Sequence, residues 1–268
     1  MVFEKVRDID LTHVFECGQC FRWVPDGPDT YTGATGSFAA RVRLSGDSLE
    51  VEATGGDEAF WRHYFDLDND YGAIKSRLAE SEPMIRPATE YGYGIRILNQ
   101  DPFETIISFI ISQNNNIPRI RKNIESLCNA YGEPIEGSSL RAFPSPEALA
   151  NAEVCDLADL RLGYRCEYIR ASSERYLREG CPETREELLA FHGIGPKVAN
   201  CIMLFGLRDT AAFPVDTWVK QIMNDMYGFD LKDVKGIQRF ASEKYGELAG
   251  YAQQYLFYYY RDRTHKQK

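Results

Sequence analysis

The sequence predicts an α+β protein: an antiparallel β-sheet domain with flanking helices over 1–85, then two mainly α-helical subdomains over 86–268. Three observations carry this. Short alternating stretches separated by Gly-Pro, Thr-Gly and Ser-Gly-Asp turns fill the first part of the chain. From about residue 86 onward the pattern is helical, with N-cap signals at Asp101, Thr184 and Asp216. Two of the helical stretches are joined only by Gly193-Ile194-Gly195.

Taken in order, 21–24, 30–33, 39–44 and 48–52 read as strands, and the alternation in Leu49-Glu50-Val51-Glu52 indicates one wet sheet face. Residues 57–65 and 71–79 read as helices. Asp101 at N-cap, Pro102 at N1 and Glu104 at N3 open a helix that is apolar almost all round, as expected of a buried central helix. Helices follow over 119–131, closed by Gly132, and over 146–150, 154–160 and 168–178. Thr184 and Glu187 make a capping box for a helix to about 191. After the glycine turn, a helix over 196–205 stops at Gly206. Asp216 caps a helix to about 227, a last helix covers 237–260, and the tip 264–268 reads as disordered. The pattern holds no internal repeat and no low-complexity linker.

With 44% hydrophobic and 26% charged residues, the chain of 268 has an ordinary globular composition and can bury a sizeable core. The start MVFEKVRDID lacks the apolar run of a signal peptide, and no stretch approaches the roughly 18 apolar residues that span a membrane. Seven scattered Cys suit a reducing compartment. The expected location is the cytoplasm, beside the nucleoid, for a bacterial protein, and the nucleus for a eukaryotic one. The net charge of −9 argues against nucleic acid as partner, because phosphate neutralisation uses Lys and Arg. That objection fails only if basic groups or bare backbone N–H groups gather on one face.

The hairpin at 184–206 offers such groups. Gly193 and Gly195 permit a tight reversal and close approach of a partner, and the N–H groups at the start of the following helix, around Val198, can hold a phosphate without a cation. Alone, the turn reads equally as an ordinary helical hairpin. Lys197 lies in the first turn, where the positive helix end and partial burial both disfavour the ammonium form. A Lys with lowered pKa can attack a sugar C1′ as the free amine and form a Schiff base. Cys201, four residues on, shares its helix face. Alone, Lys197 is a solvated first-turn residue and Cys201 a core filler. In the loop 213–218, Asp216 caps the next helix, and the same fixed carboxylate can stabilise positive charge developing on a sugar as a base departs. Hairpin, Lys and Pro-Val-Asp at this spacing are far more specific together than any one of them.

His192-Gly193-Ile194-Gly195-Pro196-Lys197 followed by Pro214-Val215-Asp216 resembles the helix–hairpin–helix, Gly-Pro-Asp superfamily of DNA glycosylases. Within it, Gly18-Gln19-Cys20-Phe21-Arg22-Trp23, the block 94–116, Leu162-Gly163-Tyr164-Arg165, 197–201, Ala252-Gln253 and Leu256-Phe257 resemble the eukaryotic-type 8-oxoguanine DNA glycosylases and their bacterial relatives, in the same order and over nearly the whole chain. The resemblance implies a base-excision repair enzyme acting on double-stranded DNA containing oxidised guanine. It would carry an associated β-lyase activity, with Lys197 as nucleophile and Asp216 as catalytic carboxylate. It implies a flipped base stacked between Cys201 and Phe257, Gln253 on its Watson–Crick edge, and the Gly18 carbonyl accepting from N7–H, which guanine lacks. Asn114, Tyr164, Arg119 and Arg165 match positions used at the DNA gap and at the orphaned cytosine. A cytosine preference follows, since guanidinium groups suit its O2 and N3 acceptors.

There are departures. Trp218, expected in the base pocket, stands where vertebrate members carry His. Tyr260 stands where they carry Asp, and Pro118 where Ala is usual before Arg119. Cys17 and Cys20 invite a metal reading, but no second ligand pair follows, and no Cys occurs after Asp216 to form the iron–sulfur loop of endonuclease-III-like relatives. No cofactor or metal is expected in the chemistry; a structural cation on the hairpin carbonyls is compatible with it. A monomer without membrane contact is expected. Two other readings remain: an alkylated-base glycosylase of the same superfamily, against which Lys197 argues, and a non-enzymatic DNA-binding module, against which Lys197 with Asp216 argues.

Overall fold

All strands precede residue 54, and everything after it is helical or irregular. The computed structural model describes residues 1–266. Strands β1 (Val2–Phe3), β2 (Trp23–Pro25), β3 (Thr30–Thr35), β4 (Phe38–Ser45) and β5 (Ser48–Ala53) form one antiparallel sheet in the order β1-β5-β4-β3-β2, with α1 (Leu11–Glu16) between β1 and β2. Pairing of Leu44 with Leu49 closes the β4–β5 hairpin around Gly46, whose φ of +62° suits a residue without Cβ. Leu49 and Val51 are buried while Glu52 is exposed, so the predicted alternation holds.

The helices are α2 (Glu58–Tyr64), α3 (Tyr71–Ser81), α4 (Arg86–Tyr91), α5 (Pro102–Ser112), α6 (Ile117–Tyr131), α7 (Pro146–Ala150), α8 (Val154–Asp159), α9 (Arg165–Glu179), α10 (Arg185–Leu189), α11 (Pro196–Phe205), α12 (Thr217–Tyr227), α13 (Val234–Tyr245) and α14 (Ala249–Lys266). Helix α5 is the central one expected: Asp101 Oδ1 accepts from the Glu104 N–H at 2.8 Å, and Phe103 and Thr105 to Ile111 are all buried. It packs on α6, α9 and α11.

The differences from the sequence reading have local causes. The helix expected over 237–260 is two helices, because Gly246, at φ +53°, ends α13 and a 3-10 turn reorients the chain before α14. The strand expected from Phe21 begins only at Trp23; Phe21 turns away and is buried in the helical core. Helix α6 starts two residues early because Asn116, not a later residue, is its N-cap, accepting from the Arg119 N–H at 3.0 Å. Helix α9 starts at Arg165 rather than 168. Helices α1 and α4, of six residues each, are too short to show a period. The expected disordered tip is helical as far as Lys266, and Gln267 and Lys268 lie outside the described residues.

Two buried clusters result, one under the sheet and one among the helices, and the segment 95–98 runs between them. Gln19, 1% exposed, clamps that seam. Its amide donates to the carbonyls of Val14 at 2.8 Å and Arg96 at 2.7 Å, and its Oε1 accepts from the Leu98 N–H at 2.9 Å. Among the described residues no helix is long and apolar enough to cross a membrane.

Candidate active site and DNA-binding face

The hairpin turn is fixed by sterics. Gly193 has φ +81°, and a Cβ there would lie 2.2 Å from the Tyr168 ring, so only glycine fits. At Gly195 a Cβ would meet nothing within 4 Å. Gly195 is the N-cap of α11, no side chain caps that helix start, and Pro196 enters the first turn. The N–H groups there, including those of Lys197 and Val198, point from an uncapped positive helix end into open space.

Every residue from Val198 to Phe205 is buried, so α11 is a rigid mount for Lys197. The Lys197 Nζ lies 5.7 Å over the centroid of Phe109, which stacks on Phe205. The expectation of a lowered Lys197 pKa is overturned. The Cys201 sulfur and, after it, the Asp216 carboxylate favour the ammonium and raise the pKa above the ordinary Lys value, against the opposing pull of burial. Burial pushes the Cys201 thiol up, so at neutral pH the proton count of the pair favours thiol facing ammonium. Asp216 is the N-cap of α12, its Oδ1 accepting from the Val219 N–H at 2.8 Å. Burial raises its pKa, and the Val219 hydrogen bond followed by Lys197 holds it down.

Three cavities share Lys197 and Asp216 in their walls. One, of about 570 Å³, opens between the Gln113-Asn114-Asn115 turn, the start of α11 and Trp218. A second, of about 550 Å³, runs past Trp218 to Gly18, Phe257 and Arg261. The innermost, of about 50 Å³, is lined by Gly18, Cys201, Gln253 and Phe257. Thus Lys197, Asp216, Gly18, Cys201, Gln253, Phe257 and Trp218, far apart in the chain, converge on one place. Gln253 is 5% exposed and its Oε1 has no hydrogen-bond partner. An unpaired buried amide oxygen costs about 1–3 kcal/mol, and a hydrogen-bond donor entering the cavity would relieve that cost.

The remaining candidates lie beside the hairpin. Tyr168, packed on Gly193, meets Tyr164 edge-on at 5.5 Å, and the Tyr164 hydroxyl accepts from Asn114 Nδ2 at 3.2 Å. Asn114 has φ +48°, the left-handed region that Asn tolerates better than most residues. Tyr164 and Arg119 are exposed. Arg165 is not: it is 6% exposed and donates to the carbonyls of Leu162, Gln113 and Asn114. The expectation of two guanidinium groups facing an orphaned base is corrected for Arg165, whose donors are spent on the Gln113-Asn114 turn.

Sequence reasoning missed Phe109 under the Lys197 amine, because an apolar helix gives no sign of which member faces a site. It also missed Arg261, although its spacing of four from Phe257 on one helix carried the signal. Its guanidinium lies 5.5 Å from the Phe257 ring and donates to the Glu16 carbonyl at 2.7 Å.

Comparison with known proteins agrees with this geometry. The family model for the 8-oxoguanine DNA glycosylase N-terminal domain matches residues 1–106, and that for the HhH-GPD superfamily of base excision DNA repair proteins matches residues 107–247. The solved structure of a Clostridium acetobutylicum 8-oxoguanine glycosylase/lyase, bound to duplex DNA with cytosine opposite 8-oxoguanine, is 37% identical, with a TM-score of 0.90 over 98% of this chain and 95% of that one. The N-glycosylase/DNA lyase OGG1 of Arabidopsis thaliana is 30% identical over 93% of this chain and 77% of its own length. A probable N-glycosylase/DNA lyase of Methanothermobacter thermautotrophicus is 36% identical over 61% of this chain and 62% of its own length. The chain belongs to the 8-oxoguanine DNA glycosylase family, within the HhH-GPD superfamily of base excision repair proteins.

Proposed function

We propose that this chain removes 8-oxoguanine from duplex DNA and then cleaves the strand at the resulting site. The observation that carries the reading is the meeting of the three cavities at Lys197 and Asp216. The outer one gives the backbone a path along the uncapped start of α11, the inner one gives a base its pocket, and the sugar between them lies against the amine. This is how an acidic chain can bind DNA: oriented N–H groups at Gly195 and Val198 take a phosphate without adding cations.

Lys197, once it has lost its proton, attacks C1′ as its bond to N9 of the base breaks, and the base leaves with the bonding electrons and takes up a proton. The Asp216 carboxylate stabilises the positive charge that develops on the sugar. The resulting Schiff base acidifies C2′–H, and loss of that proton expels the 3′ phosphate. Gln253 accepts from the Watson–Crick edge of the base, Cys201 and Phe257 stack on its faces, and the Gly18 carbonyl accepts from N7–H. Guanine would set its N7 acceptor against that carbonyl, at about 1–3 kcal/mol. Asn114 and Tyr164 fill and wedge the gap left by the flipped nucleotide. Arg119, exposed at the start of α6, reads an opposite cytosine. No metal enters these steps; a cation on the hairpin carbonyls would serve only to hold the turn.

The test is the Lys197→Gln variant. Borohydride should trap the wild-type protein covalently on 8-oxoguanine duplex and fail to trap the variant, which should still bind that duplex but not excise. A variant that still excises would overturn the Schiff-base route.

A further inference from the structure

On α11, Asn200 is the buried polar side chain that the chemistry above leaves without a role. It is 5% exposed, on a helix whose buried residues are otherwise apolar or Cys. Its Oδ1 accepts from Arg185 Nε at 3.1 Å, and its Nδ2 donates to the Phe213 carbonyl at 3.3 Å. The partners leave no choice of amide orientation, since a guanidinium only donates and a carbonyl only accepts. Three segments are tied by this one amide: α10, where Arg185 is the first residue; α11, where Lys197 stands one turn earlier; and the loop that ends in Asp216.

We propose that Asn200, anchored by Arg185, is a positioning residue that sets the Asp216 carboxylate against the Lys197 amine. Only Pro214 and Val215 separate Phe213 from Asp216, and both are buried. The Pro214 ring fixes its own φ, so a shift at the Phe213 carbonyl reaches Asp216 with little slack. The charged donor on Oδ1 also polarises the amide and strengthens Nδ2 as a donor to Phe213. Asp216 itself is oriented locally by the Val219 N–H; Asn200 adds where the whole cap lies relative to α11.

This rests on the roles given above to Lys197 and Asp216. The experiment compares wild type, Asn200→Ala, Arg185→Ala and the double variant. It measures single-turnover excision of 8-oxoguanine from neutral to alkaline pH, borohydride trapping and duplex binding. Asn200→Ala should excise about tenfold more slowly, the effect of one lost buried hydrogen bond, with duplex binding retained. Asp216 helps to hold Lys197 as ammonium, so releasing the carboxylate should move the rising limb of the pH profile to lower pH. Arg185→Ala should show a smaller loss with a shift in the same direction, and the double variant should be no worse than Asn200→Ala. Slower excision with an unmoved limb in both single variants would make Asn200 mere packing and overturn the proposal, as would unchanged rates. Additive losses would overturn the anchoring by Arg185. A wild-type protein that gives no trapped adduct strikes the Lys197 reading itself, and the positioning proposal with it.

Discussion

Replacing Arg165 with Met separates two roles that its sequence position leaves open. Met keeps much of the buried stem and removes the guanidinium. In the structure that group bonds the Gln113 carbonyl through Nε at 3.1 Å and through Nη2, the Leu162 carbonyl at 3.1 Å and the Asn114 carbonyl at 3.3 Å, and it lies 4.6 Å from the Tyr164 ring centroid. Hydrogen bonds from a charged donor contribute about 1.5–3 kcal/mol each. Water can reach part of this turn, so about 1 kcal/mol per carbonyl is the sounder figure, giving about 3 kcal/mol for the three carbonyls. For a chain of this length that lowers the melting temperature by about 6 °C or slightly more. Asn114, at φ +48°, would lose its support, and excision should fall with the turn. Thermal unfolding and single-turnover excision opposite cytosine and adenine measure both. The opposite-base preference should change less than in Arg119→Met, because Arg165 has no donor to spare. An unchanged melting temperature with an abolished preference would refute this and restore Arg165 as a base reader.

Arg119→Met should bring excision opposite cytosine and adenine closer together, by up to about a hundredfold if one bidentate contact worth about 1–3 kcal/mol is lost; equal selectivity of variant and wild type would make Arg119 a phosphate contact. Gln253→Met fills the same space without the unpaired oxygen, so it should raise the melting temperature slightly while slowing excision at least about tenfold, and excision at the wild-type rate would exclude Gln253 from base recognition. The Lys197 pKa lies above its ordinary value through the Cys201 sulfur and then Asp216, so the reactive amine grows as pH rises. Excision under single turnover should therefore climb through the alkaline range, and a rate flat from neutrality upward would contradict that assignment.

What the sequence disclosed follows from what local patterns encode. Caps at Asp101, Thr184 and Asp216 are signals of a few residues, and all three open helices where expected. The 237–260 helix failed because a glycine inside a periodic stretch is read as a tolerated flaw, whereas Gly246 adopts a left-handed φ that ends the helix. For the site, the motif residues were legible and the electrostatics were not. The lowered Lys197 pKa was argued from helix end and burial, two effects visible in one segment. The carboxylate that reverses it arrives from a loop 19 residues on, and its approach is a property of packing. Arg165 shows the same limit, since an Arg beside Tyr164 in a surface motif reads as a free cation until the Gln113 carbonyl is found under it.

The innermost cavity adds a step to the reading of the site. At about 50 Å³ it has room for about one or two water molecules, far less than a purine. A wall must therefore move for a base to enter. Cys201 is 3% exposed and sits in the middle of α11, packed on every side, so shifting it would disturb the helix that carries Lys197. Phe257 is only partly buried, and a Cβ on Gly18 would already lie 3.5 Å from its ring. Between the two, the ring is the wall that yields, turning against Arg261 and leaving α11 in place. Division of labour follows: a rigid helix holds nucleophile and thiol, while an adaptable ring closes over whatever base has entered. Because the Phe257 ring fills that space when no base is present, an incoming base must displace it, and stacking between Cys201 and the turned ring repays that displacement only for a flat aromatic group.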